Sequence, residues 1–193
     1  MGQEKSSLNQ MQTADGRNRT WMQIVPANRH DAPRARPLVV MLHGAGGSAG
    51  RVIGATRWDE VAEREGFVVA CPNGTPSNES KRESFLHNPQ TWNSGQGTSL
   101  AADKLSAHAK AIDDVGFIAA LIEKMASVTP IDRRRIFVAG HSNGAAMAFR
   151  FARERPELVA AVGVMAGHLG EGLHSLASPV SLIAISGDQD PFA

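Results

Sequence analysis

The sequence predicts an α/β fold with a mostly parallel, doubly wound sheet. Residues 38–42 form a continuous apolar segment, as expected of a central parallel strand that is covered on both faces. Residues 109–125 place apolar side chains on one stripe, which predicts a helix between strands. Strands that alternate with helices in this way build a parallel sheet with right-handed crossovers, and ligands bind beyond the carboxyl ends of its strands.

The predicted elements follow one another regularly. The sequence predicts an N-terminal extension at residues 1–18 and an α/β domain at residues 19–193. Strands are expected at residues 19–26, 38–42, 67–70, 135–139, 158–165 and 180–185, and helices at residues 58–65, 109–125 and from 145 onward. Residues 19–26 alternate polar and apolar side chains, which indicates a half-buried strand near a sheet edge. Residues 72–105 form a long polar stretch, which is typical of a functional or disordered loop.

Composition excludes several classes of protein. The chain has 193 residues and a net charge of +1, so we expect no nucleic-acid partner. A single cysteine, Cys71, excludes an intrachain disulfide, and its place at the end of an apolar segment predicts a packing role. No stretch approaches the roughly 18 apolar residues of a membrane span, and the N-terminus shows no signal peptide. The histidines lack metal-ligand spacing, so no metal site is expected.

The strongest motif is Gly140-His141-Ser142-Asn143-Gly144, which stands between a predicted strand and a predicted helix. This succession is typical of a nucleophile elbow, in which a strained turn exposes the serine hydroxyl above the sheet. Glycines two residues to either side let the strand and the helix pass closely. We therefore predict that Ser142 is a nucleophile, which a neighbouring base must activate.

A second motif is the small-residue segment 43–47, which follows the central apolar strand. The backbone N–H groups of Ala45 and Asn143 are predicted to form an oxyanion hole, which stabilises negative charge on a carbonyl oxygen. Taken alone, the segment could also be a turn that cradles a phosphate. The side chain of His43 is expected to order this loop rather than to transfer protons.

An acid is predicted after the last strand, where Asp188 and Asp190 precede Pro191. A carboxylate there can orient the imidazole of a histidine and stabilise its charged form. Asp190 is preferred, because the residue before a proline is held extended, and Asp188 is the alternative. A solvated turn carboxylate is the third interpretation.

No histidine follows Asp190. In this type of fold the chain order is Ser, acid, His, so we expect the sequence to lack the last strand and helix, with the base beyond residue 193. His168 could line the acyl pocket or act as a substitute base. His141 could line the rim of the pocket. The acidic pair Asp113-Asp114 is expected to be structural, bracing the serine turn.

Together these segments resemble the polyhydroxybutyrate depolymerase-like esterases of the α/β-hydrolase fold, a family that includes feruloyl and acetyl-xylan esterases. The resemblance covers about residues 19–192. It is carried by matching segments at residues 42–47, 65–69, 72–75, 91–93, 113–117, 140–144 and 187–191. It implies Ser142 as nucleophile and Asp190 as acid. It also implies Trp92 and Asn93 near the site.

The resemblance implies a serine carboxylic-ester hydrolase that acts through an acyl-enzyme, without a cofactor, on a small, polyester or polysaccharide-linked ester. Candidates for the substrate pocket are His43, Trp92, Asn93, His141 and His168. Two alternatives stay open: a serine peptidase or thioesterase on the same scaffold, and a binding domain without catalysis. Members of the family are commonly exported, and the sequence does not indicate an oligomeric state.

Overall fold

The computed structural model describes residues 7–27, 35–95, 106–167 and 178–190. They form a seven-stranded sheet, a two-stranded sheet and helices that cover the larger sheet. In chain order the elements are β1 Ser7–Gln12, β2 Asn18–Ile24, β3 Arg36–Leu42, α1 Ala49–Thr56, α2 Trp58–Glu65, β4 Val68–Pro72, β5 Thr75–Pro76, β6 Gln90–Thr91, α3 Asp114–Val128, β7 Ile131–His141, α4 Asn143–Glu154, a 3₁₀ helix Pro156–Leu158, β8 Ala161–Met165 and β9 Ser181–Ile185.

The large sheet has the strand order β1-β2-β4-β3-β7-β8-β9. β1 and β2 run antiparallel to their neighbours, and β4, β3, β7, β8 and β9 are parallel to one another. From β3 the chain goes first to β4 on one side and then to β7 on the other. The strand order therefore reverses at β3, and the crevice between β3 and β7 is where a sheet of this kind binds ligands.

Helices cover both faces of the sheet. Successive side chains of a central strand point to opposite faces, so one strand contributes to two cores. Leu38, Val40 and Leu42 belong to the core beneath α3 and α4. Met41 and Cys71 belong to the smaller core beneath α1 and α2. The predicted doubly wound α/β architecture is confirmed, and so is the packing role of Cys71.

Two elements begin three or more residues later than the sequence predicts. The helix expected at residues 109–125 begins at Asp114, because the carboxylate of Asp113 accepts the Gly116 N–H at 2.8 Å and caps the first turn. The strand expected at residues 158–165 begins at Ala161, because Pro156 opens a 3₁₀ helix instead.

The N-terminal region contains a strand that the sequence analysis does not place. β1 lies within residues 1–18 and pairs with β2 along its whole length, from Ser7 opposite Gln23 to Gln12 opposite Asn18. β2 is therefore the second strand of the sheet, and β1 occupies the edge. The alternating pattern of β2 fits this position next to the edge.

Candidate active site

Ser142 lies at the junction of β7 and α4, at the carboxyl edge of the sheet. Its backbone has φ 52° and ψ −121°, a conformation that non-glycine residues rarely adopt. The turn is held because the Ser142 N–H donates to the carbonyl oxygen of Met165 on β8 at 2.9 Å. Backbone strain of this kind persists only where the surroundings enforce it, and it clusters at active sites.

The glycines that flank the serine turn are required by close backbone contacts. A methyl group at Gly140 would overlap the carbonyl oxygen of Gly144. A methyl group at Gly144 would overlap the carbonyl oxygens of Leu42 and His43, at the end of β3. The close passage of strand and helix that the motif predicts is therefore present, and it brings the end of β3 against the start of α4.

The 43–47 loop runs directly beside the serine. A Cβ atom at Gly44 would lie 3.4 Å from the Cβ of Ser142 and 2.9 Å from Nδ1 of His141. Among the described residues, neither the Ala45 N–H nor the Asn143 N–H donates to an acceptor. Two unused backbone donors therefore stand on the two segments that border Ser142.

His43 is a buried part of the loop. Its Nε2 accepts the Gly74 N–H at 2.9 Å, so Nδ1 carries the proton and donates to the carbonyl oxygen of Gly44 at 2.7 Å. Burial lowers the pKa of His43 to about 4, with a smaller lowering from nearby Arg19, and the Gly44 carbonyl only partly opposes this. His43 is thus a neutral imidazole with both nitrogens engaged, which confirms that it orders the loop.

Trp92 packs behind both segments. It is fully buried, and its Nε1 donates to the His43 carbonyl oxygen at 2.8 Å. Its backbone N–H donates to Oδ1 of Asn143 at 2.7 Å. The rings of Trp92 and His43 lie 5.0 Å apart. The structure therefore places Trp92 under the site, where it supports the 43–47 loop and the first turn of α4.

A buried ion pair anchors the next residue, Asn93. Oδ2 of Asp114 accepts the Asn93 N–H at 2.7 Å, and Oδ1 accepts from Arg19 at 2.7 Å. Burial raises the pKa of Asp114, while Arg19 and the Asn93 N–H act in the opposite direction. The Arg19 guanidinium also lies 4.0 Å from the centre of the Phe117 ring. The structural role expected for the acidic pair at the start of α3 is confirmed.

Asp188 and Asp190 follow β9, which lies two strands away from β7 in the described sheet. β9 is the edge strand and pairs with β8. The turn after it is closed by the Asp190 N–H, which donates to the Gly187 carbonyl oxygen at 3.3 Å. Asp190 is partly buried, whereas Asp188 is exposed. This asymmetry favours Asp190 over Asp188 as a residue with a defined orientation.

The remaining predicted pocket residues are placed only in part. His141 is exposed, next to the 43–47 loop. The side chain of Asn93 is buried and donates to the Ile112 carbonyl oxygen at 2.8 Å, so it braces the site. His168 and Pro191 lie outside the described residues, and the pocket role of His168 stays a prediction.

Membrane-spanning helices and groups of metal ligands can be assessed only for the described part of the chain. No helix there combines the length and apolar character that crossing a membrane requires. No group of three or more His, Cys, Asp or Glu side chains in the same residues could hold a metal ion.

Comparisons with known proteins agree with this geometry. Residues 28–193 match the model of the family described as esterase PHB depolymerase. Over 178 residues the chain is 25% identical to NocK of Nocardia uniformis subsp. tsuyamanensis, a protein named as an esterase; the match covers 91% of this chain and 46% of NocK. Over 184 residues it is 24% identical to the bifunctional acetylxylan esterase/xylanase XynS20E of Neocallimastix patriciarum, covering 95% of this chain and 23% of that protein. The chain thus spans less than half the length of either relative.

A solved structure shows the same fold. The acetyl xylan esterase from Aspergillus awamori superposes with a TM-score of 0.58 and 21% sequence identity. The superposition covers 90% of this chain and 57% of that enzyme. At this level of identity the likeness establishes the fold, which is that of the α/β-hydrolases.

Proposed function

Because this chain belongs to the esterase PHB depolymerase family, we propose that the whole protein is a serine carboxylic-ester hydrolase that acts through an acyl-enzyme. The observation that carries the proposal is the backbone of Ser142, held at φ 52° between a parallel strand and a helix, beside two unused N–H donors. This geometry supports the interpretation of the turn as a nucleophile elbow. The alternation of strand, serine turn and helix alone would be weaker support.

In the proposed first step, the Oγ of Ser142 attacks the carbonyl carbon of the ester while a base removes the hydroxyl proton. The carbonyl oxygen becomes negative and is stabilised by the N–H groups of Ala45 and Asn143. The carbon–oxygen bond to the alcohol then breaks, and the alcohol leaves with the proton that the base returns. Water repeats the sequence on the acyl-enzyme and releases the acid.

The base and its orienting acid complete the proposal. His43 is excluded as the base because both of its nitrogens are engaged in the buried loop. We expect the base to be a histidine outside the described residues, and Asp190 to hold its imidazole in the correct tautomer. Asp190 stands at the carboxyl end of β9, on the same edge of the sheet as Ser142, which supports this role.

Short acyl esters of sugars are the first substrates to test. XynS20E and the enzyme from Aspergillus awamori are both named for acetyl xylan. Polyester and aryl esters stay alternatives within the same reaction class. A polymer-linked ester is met outside the cell, so the proposal includes export, which fractionation of the producing cells tests.

The experiment uses the whole protein and its Ser142→Ala variant. We expect hydrolysis of p-nitrophenyl acetate and of acetylated xylan, with kcat falling by about 10⁴-fold or more in the variant. A fluorophosphonate should label the wild type at Ser142. Ser127→Ala is the control, since Ser127 is exposed near the end of α3.

Two outcomes would contradict the proposal. Ester hydrolysis that survives Ser142→Ala would show that another residue is the nucleophile. Faster cleavage of peptide amides than of esters would make the protein a peptidase on the same fold.

A further inference from the structure

Asn143, the residue after the proposed nucleophile, uses its side chain as well as its backbone. Oδ1 accepts the Trp92 N–H at 2.7 Å. Nδ2 donates to the Trp92 carbonyl oxygen at 3.2 Å and to Oγ of Ser94 at 3.1 Å. The side chain is buried, and its carboxamide pairs with the Trp92 peptide groups as a neighbouring β-strand would. Three hydrogen bonds therefore connect the start of α4 to residues 92–94.

The 92–94 segment forms two further hydrogen bonds with charged side chains. The Asn93 N–H is held by the carboxylate of buried Asp114, and the Asn93 carbonyl oxygen accepts from Arg150 at 2.6 Å. Hydrogen bonds to charged partners are about twice as strong as neutral ones. Arg150 belongs to α4 and Asp114 to α3, so the segment is hydrogen-bonded to both helices.

Trp92 also bonds to the 43–47 loop. Its indole N–H donates to the His43 carbonyl oxygen at 2.8 Å, two residues before Ala45. The two N–H groups proposed to bind the oxyanion thus stand on segments that are both hydrogen-bonded to one residue. An oxyanion hole depends on donors placed to within fractions of an ångström, so bonds that tie both segments to one residue bear on its geometry.

We propose that the carboxamide of Asn143 is a positioning residue for the oxyanion hole: by pairing with the Trp92 backbone it sets the Asn143 N–H relative to the Ala45 N–H. This inference rests on the esterase function proposed above. The carboxamide is buried and bonds to Trp92 and Ser94, so we expect it to act through the backbone and not on the substrate. Its loss should therefore weaken binding of the tetrahedral transition state more than binding of the ester itself.

The test compares the whole protein with Asn143→Asp. The substitution keeps the size of the side chain and replaces the Nδ2 donor by an oxygen that faces the Trp92 carbonyl. We expect kcat to fall about 10- to 100-fold with KM within about threefold. The affinity for a boronic acid, which forms a tetrahedral adduct on serine, should fall in proportion to kcat/KM.

The matched control is Asn88→Asp. Asn88 is also a buried carboxamide; its Oδ1 accepts the Asn78 N–H, and its Nδ2 donates to the carbonyl oxygens of Asn78, Lys81 and Arg82. It makes no bond to Trp92 or to α4. Loss of stability without a change in kcat or in boronate affinity is the result expected for this variant.

The outcomes separate the inference from the proposed function. An inactive wild type, or activity that Ser142→Ala leaves intact, refutes the esterase proposal. An active wild type with kcat of Asn143→Asp within threefold refutes only the positioning role, and so does a fall in kcat without loss of boronate affinity. Asn143→Ser is measured in the same way if Asn143→Asp does not fold.

Discussion

The serine side of the site and the acid side are built differently. Three residues next to Ser142 are almost completely buried: the exposed fraction is 2% for His43, 0% for Trp92 and 8% for Asn143. Each of them forms hydrogen bonds with at least two neighbours. β9, which carries the acid at its end, is exposed along its described length, with Ile183 at 69%. The groups proposed to bind developing charge are thus held by the core, whereas the proposed acid follows a strand that is exposed among the described residues.

The difference follows from where each group stands in the sheet. Three backbones, those of β3, β7 and α4, converge at the serine turn, so a change there disturbs packing and catalysis together. β9 contacts β8 as its only strand neighbour among the described residues. Catalysis and stability should therefore be separable at β9 and coupled at the serine turn.

The largest expected effect is on the acid side. Asp190→Asn should lower kcat by about 10⁴-fold, because an amide holds the catalytic imidazole in the wrong tautomer. The unfolding midpoint should change little, because Asp190 lies in the turn after β9 and not in either hydrophobic core. Ester hydrolysis and urea unfolding of the whole protein measure the two quantities.

Asp188→Asn is the matched control for this prediction, two residues away on the same turn. We expect its kcat to stay within about threefold of the wild type. A large loss in Asp188→Asn together with an active Asp190→Asn would assign the acid to Asp188 instead.

On the serine side, Gly140→Ala should destabilise the fold by about 3 kcal/mol or more and abolish activity. The new methyl group would overlap the Gly144 backbone, which no side-chain rotation can relieve. Gly163→Ala on the adjacent strand β8 is the control. There the nearest atom to the new methyl group, Cβ of Ala139, would lie 3.8 Å away. Equal stability of the two variants in urea unfolding would show that β7 and α4 are not tightly apposed.

His43 should give the serine side a pH dependence. Its pKa is about 4 when folded and 6.5 in the unfolded chain, so its contribution to stability is complete above pH 6.5. It is lost as the pH falls from 6.5 to about 4, because the unfolded state binds the proton first, and the loss amounts to about 3 kcal/mol. Urea unfolding across this range measures it.

His43→Gln provides the comparison, since glutamine does not titrate. The difference between the wild type and this variant should shrink steadily below pH 6.5. A difference that stays constant from pH 7 to pH 4.5 would mean that His43 is protonated in the folded protein.

The smallest effect is expected at the sheet edge. Ile183→Thr on β9 should change the stability of the 193-residue chain by about 0.5 kcal/mol or less, because the side chain is 69% exposed there. Val164→Thr on β8 places a hydroxyl at a buried position and should cost about 1–3 kcal/mol. Similar losses in both variants of the whole protein would show that Ile183 is covered there.

The amino-acid sequence by itself determined the features that depend on local pattern. Continuous apolar segments predict β3 and β7 because a strand covered on both faces needs them, and the glycines around Ser142 predict the close crossing. The motif order also places Ser142, the 43–47 loop and Asp190 at one edge of the sheet, since parallel strands end together.

Only the tertiary structure decided which polar side chains support the site. Arg19 meets Asp114 across 95 positions of sequence, and Trp92 meets Asn143 across 51. No local pattern encodes such pairs, because the two partners come together only when distant parts of the chain pack against each other. The sequence pattern did not predict β1 for a related reason. Its side chains are mostly polar, and it joins the sheet through backbone hydrogen bonds, which do not depend on the side chains.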